Sequence, residues 1–570
     1  EKAEHSGEIS LCVPSDYPIG IFSLKATSDG QKTEEGFYII VMFNPWNDQD
    51  SVYMEDEKQR YEYVLEDNGL IWVGSANHNG PRAWNFAQFS AKSVLASMRL
   101  LWALPYAKRN DPIIVCRHMS AMVNSNDEDG VLVGNWSGKY DDGTSPSQWT
   151  GSEDILDQYY VKEESVKYGQ CWVFSGVLTT VCRAIGIPCR SVTNFDSAHD
   201  TNMNRTVDKF YDADYNADAS RTSDSIWNFH VWNDVFMKRP DIGNEYNGWQ
   251  ALDATPQERS EGIYKTGPCP LVGIKEGDKN VKYDSEFIYA EVNADINHYL
   301  VQEDGSTKLI KKITSHVGKQ LSTKQVGRDR LNEITDQYKH TEGTKEERAA
   351  HQGGEEGEEG ELDVSMTVGK AVCGETVSLS VTISKRDGAK PETRRADVSV
   401  HISVVSYTGK AKEQVLTKNA KMTISDTDTF TVNIEEKTYR KFLDDDCYFQ
   451  AWAVVKFDTD EMDIVTKDFD FEMPEVVVTA DGDFVVGKKT VITVTATNPL
   501  DVPLTDVTAS IEGARILHRT LVLMDKIAPH STGSCELSIT PTMKGEKNIA
   551  VSIESKELIG MNTFLHVDVI

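Results

Sequence analysis

The stretch YGQCWVFSGV, residues 168–177, places one cysteine, Cys171, between a polar Gly-Gln step and an apolar run. The chain then keeps helical spacing. In WVFSGVLTTVCRAIGI (172–187), Val173, Val177, Leu178, Val181 and Ile185 form a stripe, and Gly186 and Pro188 stop it. Cys171 is therefore expected at or near the first turn. Unpaired N–H groups and the helix dipole there lower a thiol pKa and favour the thiolate. A buried cysteine is ordinarily a small core residue. The nucleophile reading needs a base, and a group to orient that base.

Two later segments offer both. IWNFHVW (226–232) alternates as a strand, with Asn228, His230 and Trp232 on one face. WQALD (249–253) alternates too, with Trp249, Ala251 and Asp253 on one face. If the two strands are neighbours, His230 and Asp253 sit side by side. A Cys171–His230–Asp253 set then forms. Taken singly, the cysteine and the histidine each read more readily as structural.

Around these segments the chain changes character several times. Residues 1–46 hold strand patterns, EISLCV, IGIFSLKATS and GFYIIVMFNPW. They are too few for a sheet domain and are expected to be the last strands of an N-terminal β-domain that begins earlier. Residues 47–350 mix periods and read as an α+β region, with AKSVLASMRLLWAL (91–104) as another helix. Residues 351–362 are an acidic, glycine-rich linker that has no apolar surface to bury. Beyond it the pattern is purely β. VGKAVCGETVSLSVTISK (368–385) resembles VGKKTVITVTATN (486–498), so 363–471 and 472–570 read as two copies of one β-barrel or sandwich unit.

Bulk properties narrow the function. At 570 residues the chain exceeds one core. No run reaches the length of a membrane span. A net charge of −31 argues against nucleic acid and is compatible with divalent cations or basic protein substrates. Nine cysteines, an odd number with no CxxC, do not suggest a disulfide framework or a zinc site. Two glycosylation sequons, at Asn135 and Asn204, are weak signals.

YGQCWVF, WNFHVW and WQALDATPQE together resemble the active-site segments of the animal transglutaminases, the family of the tissue enzyme and the factor thirteen A subunit. The resemblance runs from about residue 10 to the C-terminus. It implies a partial N-terminal β-sandwich, a papain-like core and two C-terminal β-barrels. It also implies that Cys171 attacks the γ-carboxamide of a protein glutamine, releasing ammonia. His230 would relay protons with Asp253 assisting. A lysine or polyamine amine would then take the acyl group, and water would give deamidation instead. Trp136, in VGNWSGKY, matches the tryptophan that stabilises the oxyanion, and Trp227 matches the opposite channel wall. Tyr407, in VVSYTGK, matches the barrel tyrosine that bonds the thiol and closes the site. Without the resemblance, each tryptophan reads more readily as core packing and Tyr407 as a strand tyrosine.

The family also implies calcium, one to three ions. Asn293 and Asp295 (AEVNADIN) match ligands of one site, with Glu342 and Glu347 (TEGTKEER) and a carbonyl near Ser315. A second set is Asn124, Asn126 and Glu128 (MVNSNDEDG). A third is Asp200, Asn202 and Asn204 (HDTNMN) with Asp224. Oxygen sets of this kind suit hard cations, although each alone reads as a polar turn. Asn204 as a ligand discounts its sequon.

Departures matter as well. Thr367, Ala371 and Lys467 stand at the tissue enzyme's nucleotide-binding positions, so inhibition by GTP is not expected. Lys265-Thr266 replaces its vicinal cysteine pair. These differences point to an invertebrate or non-tissue-type member. A papain-like cysteine protease and a catalytically inactive structural homologue are the alternatives. Monomer or homodimer is open, as is a cytoplasmic or non-classically secreted location.

Overall fold

The computed structural model describes residues 10–25, 27–28, 31–32, 37–351, 361–387, 392–443, 447–459 and 461–570. Most of the acidic run expected as a linker lies outside the described residues. The strand expected at EISLCV does not form where it is described, since Ser10–Val13 are irregular. Strands Gly20–Leu24 and Phe37–Val41 pair as an antiparallel ribbon.

The middle of the chain is built on a six-stranded sheet. Its order is Thr266–Pro270, Gly248–Asp253, Ser225–Met237, Cys189–His199, Gln320–Lys324 and Leu331–Glu333. Every neighbouring pair is antiparallel. The segments carrying His230 and Asp253 are thus adjacent strands, with Asn233 opposite Leu252. The Cys171–Ala184 helix packs on this sheet, flanked by helices Ala91–Leu100 and Pro112–Val123.

One expectation needs correction here. The apolar stripe predicted for the Cys171 helix is not a single buried face, because every residue from Cys171 to Ala184 is buried. The polar positions are absorbed by hydrogen bonds. Ser175 donates to Trp232 O, Thr180 donates to Phe86 O, and Arg183 donates to Cys189 O. Gly176 is required where it stands, since a Cβ there would lie 2.4 Å from the Trp84 ring. Covered on all sides, the helix presents Cys171 as a fixed point.

The two C-terminal units share a topology of one three-stranded and one four-stranded sheet. Strand Val377–Lys385 is the centre of the first three-stranded sheet and Thr490–Thr497 the centre of the second. The two segments that resemble each other in sequence therefore hold equivalent places. Alternating apolar residues from both units merge into one cluster, from Leu362 to Val569. Val405, Tyr407, Tyr448 and Ala550 instead join the cluster of the central region. The first unit thereby reaches the Cys171 helix.

Candidate active site

Cys171 is the first residue of its helix, after Gln170 at the cap in extended conformation. Its thiol is fully buried. The Val231 and Trp172 N–H groups and the Tyr407 hydroxyl hydrogen-bond it. Val231 follows His230 in the strand, so the thiol sits against the backbone of the strand that carries the imidazole. His230 Nε2 donates to Asp253 Oδ2 at 2.7 Å. Nδ1 of the same ring is buried and has no hydrogen-bond partner. The end of the ring away from Asp253 is therefore the end left free for a proton from sulfur. Asp253 Oδ1 accepts the Thr255 N–H at 2.8 Å, which fixes the carboxylate. Of the three side chains grouped from sequence, the structure joins His230 to Asp253 and brings the Val231 N–H, next to His230, onto the Cys171 thiol.

The ionisation expected of Cys171 is corrected by its surroundings. Its helix N-terminus would lower the thiol pKa, but burial pushes it up to about 12, against the hydrogen bonds from Tyr407 and Val231. In this closed arrangement burial favours the neutral thiol.

Tyr407 explains the closure. Its hydroxyl accepts the Trp136 indole N–H at 2.6 Å and the Cys171 backbone N–H at 3.4 Å. Two donors thus converge on one oxygen beside the sulfur, the geometry that stabilises an oxyanion. Tyr407 is 2% exposed. Its ring stacks on Phe229 at 5.0 Å and meets Trp227 edge-on at 5.8 Å. Tyr407 O accepts the Asn228 N–H at 2.8 Å. Gly409, at φ +76°, lets the turn lie flat, since a Cβ there would be 2.3 Å from Ile226 O. Trp227 also stands edge-on to His230 at 4.8 Å. Trp136 and Trp227 therefore flank the space that Tyr407 fills.

The oxygen sets differ in how well they converge. Asp295 is fully buried, and Lys312, Arg348 and His351 all approach its carboxylate. Arg348 also pairs with Glu347. Lys339 pairs with Glu342 and donates to Val292 O and Val317 O, both at 2.9 Å. Asn293 Oδ1 and Glu342 Oε2 are buried oxygens without a hydrogen-bond partner. Buried unpaired oxygens are of the type that suits a hard cation, but among the described residues Asp295, Glu342 and Glu347 do not gather their carboxylate oxygens within 4.8 Å of one another. Ser315 is exposed nearby in the chain.

In the third set Asp200 is buried, and its carboxyl is raised by burial and by the Asp224 carboxylate. Asp224 accepts the Thr201 N–H at 3.0 Å, so the two acids face one loop. Asn202 and Asn204 are exposed on that loop and accept backbone N–H groups two residues on. The second set does not converge, which corrects the expectation for it. Asn124 turns inward, donating to Ser120 O and Tyr264 O, while Asn126 and Glu128 are exposed. The carboxylate engaged at that turn is Asp127, which accepts the Tyr264 N–H.

Sequence reading missed two residues of the His230–Asp253 pair's surroundings. Gln257 donates to Asp253 Oδ2 at 3.3 Å and to Glu291 Oε1 at 2.8 Å. Glu291 Oε1 lies 3.8 Å from His230 Nε2. Gln257 lies in WQALDATPQE and Glu291 in AEVNADIN, but neither pattern indicates that the two meet.

Comparison with known proteins finds two matching family models. Residues 137–254, which run from the residue after Trp136 to the residue after Asp253, match a family model described as the transglutaminase-like superfamily. Residues 474–570 match the transglutaminase family C-terminal ig-like domain. Over 98% of its length the chain is 37% identical to human protein-glutamine gamma-glutamyltransferase 4, covering 85% of that protein. The chain belongs to the transglutaminase family. It is also 36% identical to the hemocyte protein-glutamine gamma-glutamyltransferase of Tachypleus tridentatus, over 98% of this chain and 78% of that one. The crystal structure of red sea bream transglutaminase superposes with a TM-score of 0.88 at 32% identity, covering 98% of this chain and 86% of that chain. The fold is that of the family, with a papain-like core.

Proposed function

We propose that this transglutaminase-family protein is a calcium-dependent protein-glutamine gamma-glutamyltransferase with Cys171, His230 and Asp253 as its catalytic residues. The convergence of Trp136 Nε1–H and Cys171 N–H on one oxygen position beside the thiol carries this reading. When Tyr407 withdraws, that position is free for the γ-carboxamide oxygen of a substrate glutamine. Cys171 sulfur attacks the carbonyl carbon while His230 Nδ1 takes the thiol proton. The oxyanion then holds the two N–H groups. Collapse expels ammonia, which takes its proton from His230 Nδ1, and a thioester remains. A lysine or polyamine amine adds to the thioester, giving its proton to His230, and the isopeptide bond forms as the thiol returns. Asp253, fixed by Thr255, holds the imidazole in the tautomer with Nδ1 free and stabilises the imidazolium. Trp136 and Trp227 flank the thioester with apolar surface, which favours an amine over water.

Asn293, Asp295, Glu342 and Glu347 are the residues that would hold calcium at the best-formed set, with Asp200 and Asp224 at another. A bound ion would supply positive charge in competition with Lys339 and Arg348. Protein glutamine and lysine side chains are the proposed substrates. Residues 1–46, 47–350, 351–362, 363–471 and 472–570 are the proposed division of the chain.

Incorporation of a labelled primary amine into a glutamine-rich protein, with calcium and with chelator, tests the reading. Calcium-dependent labelling by the wild type that is lost in Cys171→Ala supports it. Peptide-bond cleavage without amine incorporation would favour a cysteine protease and overturn it.

A further inference from the structure

His230 and Asp253 do not stand alone. Asp253 Oδ2 receives two donors, His230 Nε2 and the side-chain amide of Gln257. The same amide nitrogen lies 2.9 Å from His230 Nε2 and donates to Glu291 Oε1. Glu291 is 1% exposed. Among the described residues no lysine or arginine pairs with it, and Gln257 is the one hydrogen-bond donor recorded for its carboxyl. Its helix, Ser285–Asn293, is tied to Cys189–His199, the strand that pairs with His230's, where Asn194 donates to Glu291 O at 2.8 Å. Glu291 is thus a rigid anchor for a half-buried side chain from the loop after Asp253.

We propose that Gln257 is a positioning residue for the acyl-transfer reaction, whose amide bridges Glu291 to Asp253 and so holds the His230 imidazole with Nδ1 toward Cys171. The inference rests on the acyl-transfer reading above. The loop Asp253–Gln257 closes on its own first residue, with the Thr255 N–H on Oδ1 and the Gln257 amide on Oδ2. A carboxylate held at both oxygens cannot swing, and the ring it holds cannot turn its free nitrogen from the sulfur. A hydrogen bond between Gln257 and Asp253 alone would leave the amide free to rotate with the loop. Glu291, on a different element, removes that freedom. The bridge needs a neutral donor in this place. A carboxylate of the same size would give Asp253 Oδ2 no donor and set a second acceptor against it.

Amine-incorporation kinetics with calcium test this on Gln257→Leu, Gln257→Glu and Glu291→Leu, with Glu291→Gln as the second choice at that position if the leucine variant does not fold. Melting curves show which variants are folded. The expected result is a kcat lowered ten- to a hundred-fold in Gln257→Leu and further in Gln257→Glu, with KM for glutamine substrate and amine within two-fold of wild type. The Gln257→Leu/Glu291→Leu double variant is expected to be no slower than Gln257→Leu, because Glu291 acts through Gln257. A side chain that only fills space would give Gln257→Glu, its isostere, near wild-type kcat. That result, or additive losses in the double variant, overturns the inference. A wild type without amine incorporation overturns the acyl-transfer reading instead.

Discussion

Replacing Tyr407 by phenylalanine isolates the hydroxyl that closes the site. The ring remains, so stacking on Phe229 at 5.0 Å and the edge contact with Trp227 at 5.8 Å are retained. What is lost is the acceptor for the Trp136 indole N–H at 2.6 Å and for the weaker Cys171 N–H at 3.4 Å. In the closed state these donors, on half-buried Trp136 and buried Cys171, would lose this partner. Counting only the short bond, an unsatisfied buried donor costs about 1–3 kcal/mol. The open state does not bear this cost, because water reaches both groups. At about 1.4 kcal/mol per factor of ten, the open population rises about 5- to 150-fold. Cys171 alkylation by iodoacetamide without calcium measures that population, since burial holds the closed-state thiol at about 12. Labelling of the peptide that contains Cys171, followed by mass spectrometry, separates it from exposed Cys12. Faster labelling within that range, with less calcium needed for half-maximal amine incorporation, is expected. A Tyr407→Phe rate equal to wild type would show that the hydroxyl does not hold the site shut.

Trp136→Phe removes one of the two oxyanion donors, a loss of roughly 3 kcal/mol. The kcat for amine incorporation should fall about a hundred-fold with little change in KM, and an unchanged kcat would refute the assignment. Glu347→Gln keeps the size of a buried side chain while removing charge beside Asp295 and Arg348. The calcium concentration for half-maximal activity should rise, read by titration against chelator-buffered calcium. Glu512 is buried, accepts the Thr150 hydroxyl at 2.7 Å, and has its carboxyl pushed by burial from the usual 4.5 up to about 8. Between those values the folded chain keeps a proton that the unfolded chain has released. Its contribution to stability is therefore complete below about 4.5 and is lost as pH rises toward 8. Melting temperature should fall more steeply over that window in the wild type than in Glu512→Gln, and parallel profiles would contradict this.

Much of this protein was legible from sequence because its signals are local. Helical spacing after Cys171 reflects a period of about 3.6, and alternation around His230 and Asp253 a period of 2. Those periods depend on neighbours along the chain, so they place Cys171 at the helix start and the other two on strands. The repeated Val-Gly-Lys segments likewise mark equivalent strands of two units. What the periods cannot carry is contact between distant segments. Tyr407 meets Trp136 across 271 residues, and Gln257 meets Glu291 across 34. Asn124 reads as a ligand beside Asn126 and Glu128, yet its Oδ1 accepts the Asn126 N–H while its amide nitrogen donates to Ser120 O and Tyr264 O. The Cys171 helix signals a low thiol pKa, but the barrel docked over it reverses the sign through burial. Sequence alone determined which side chains have the chemistry for acyl transfer. Tertiary packing decided the ionisation, the closure and the support of those side chains, because desolvation and hydrogen bonding depend on what lies across the fold rather than along the chain.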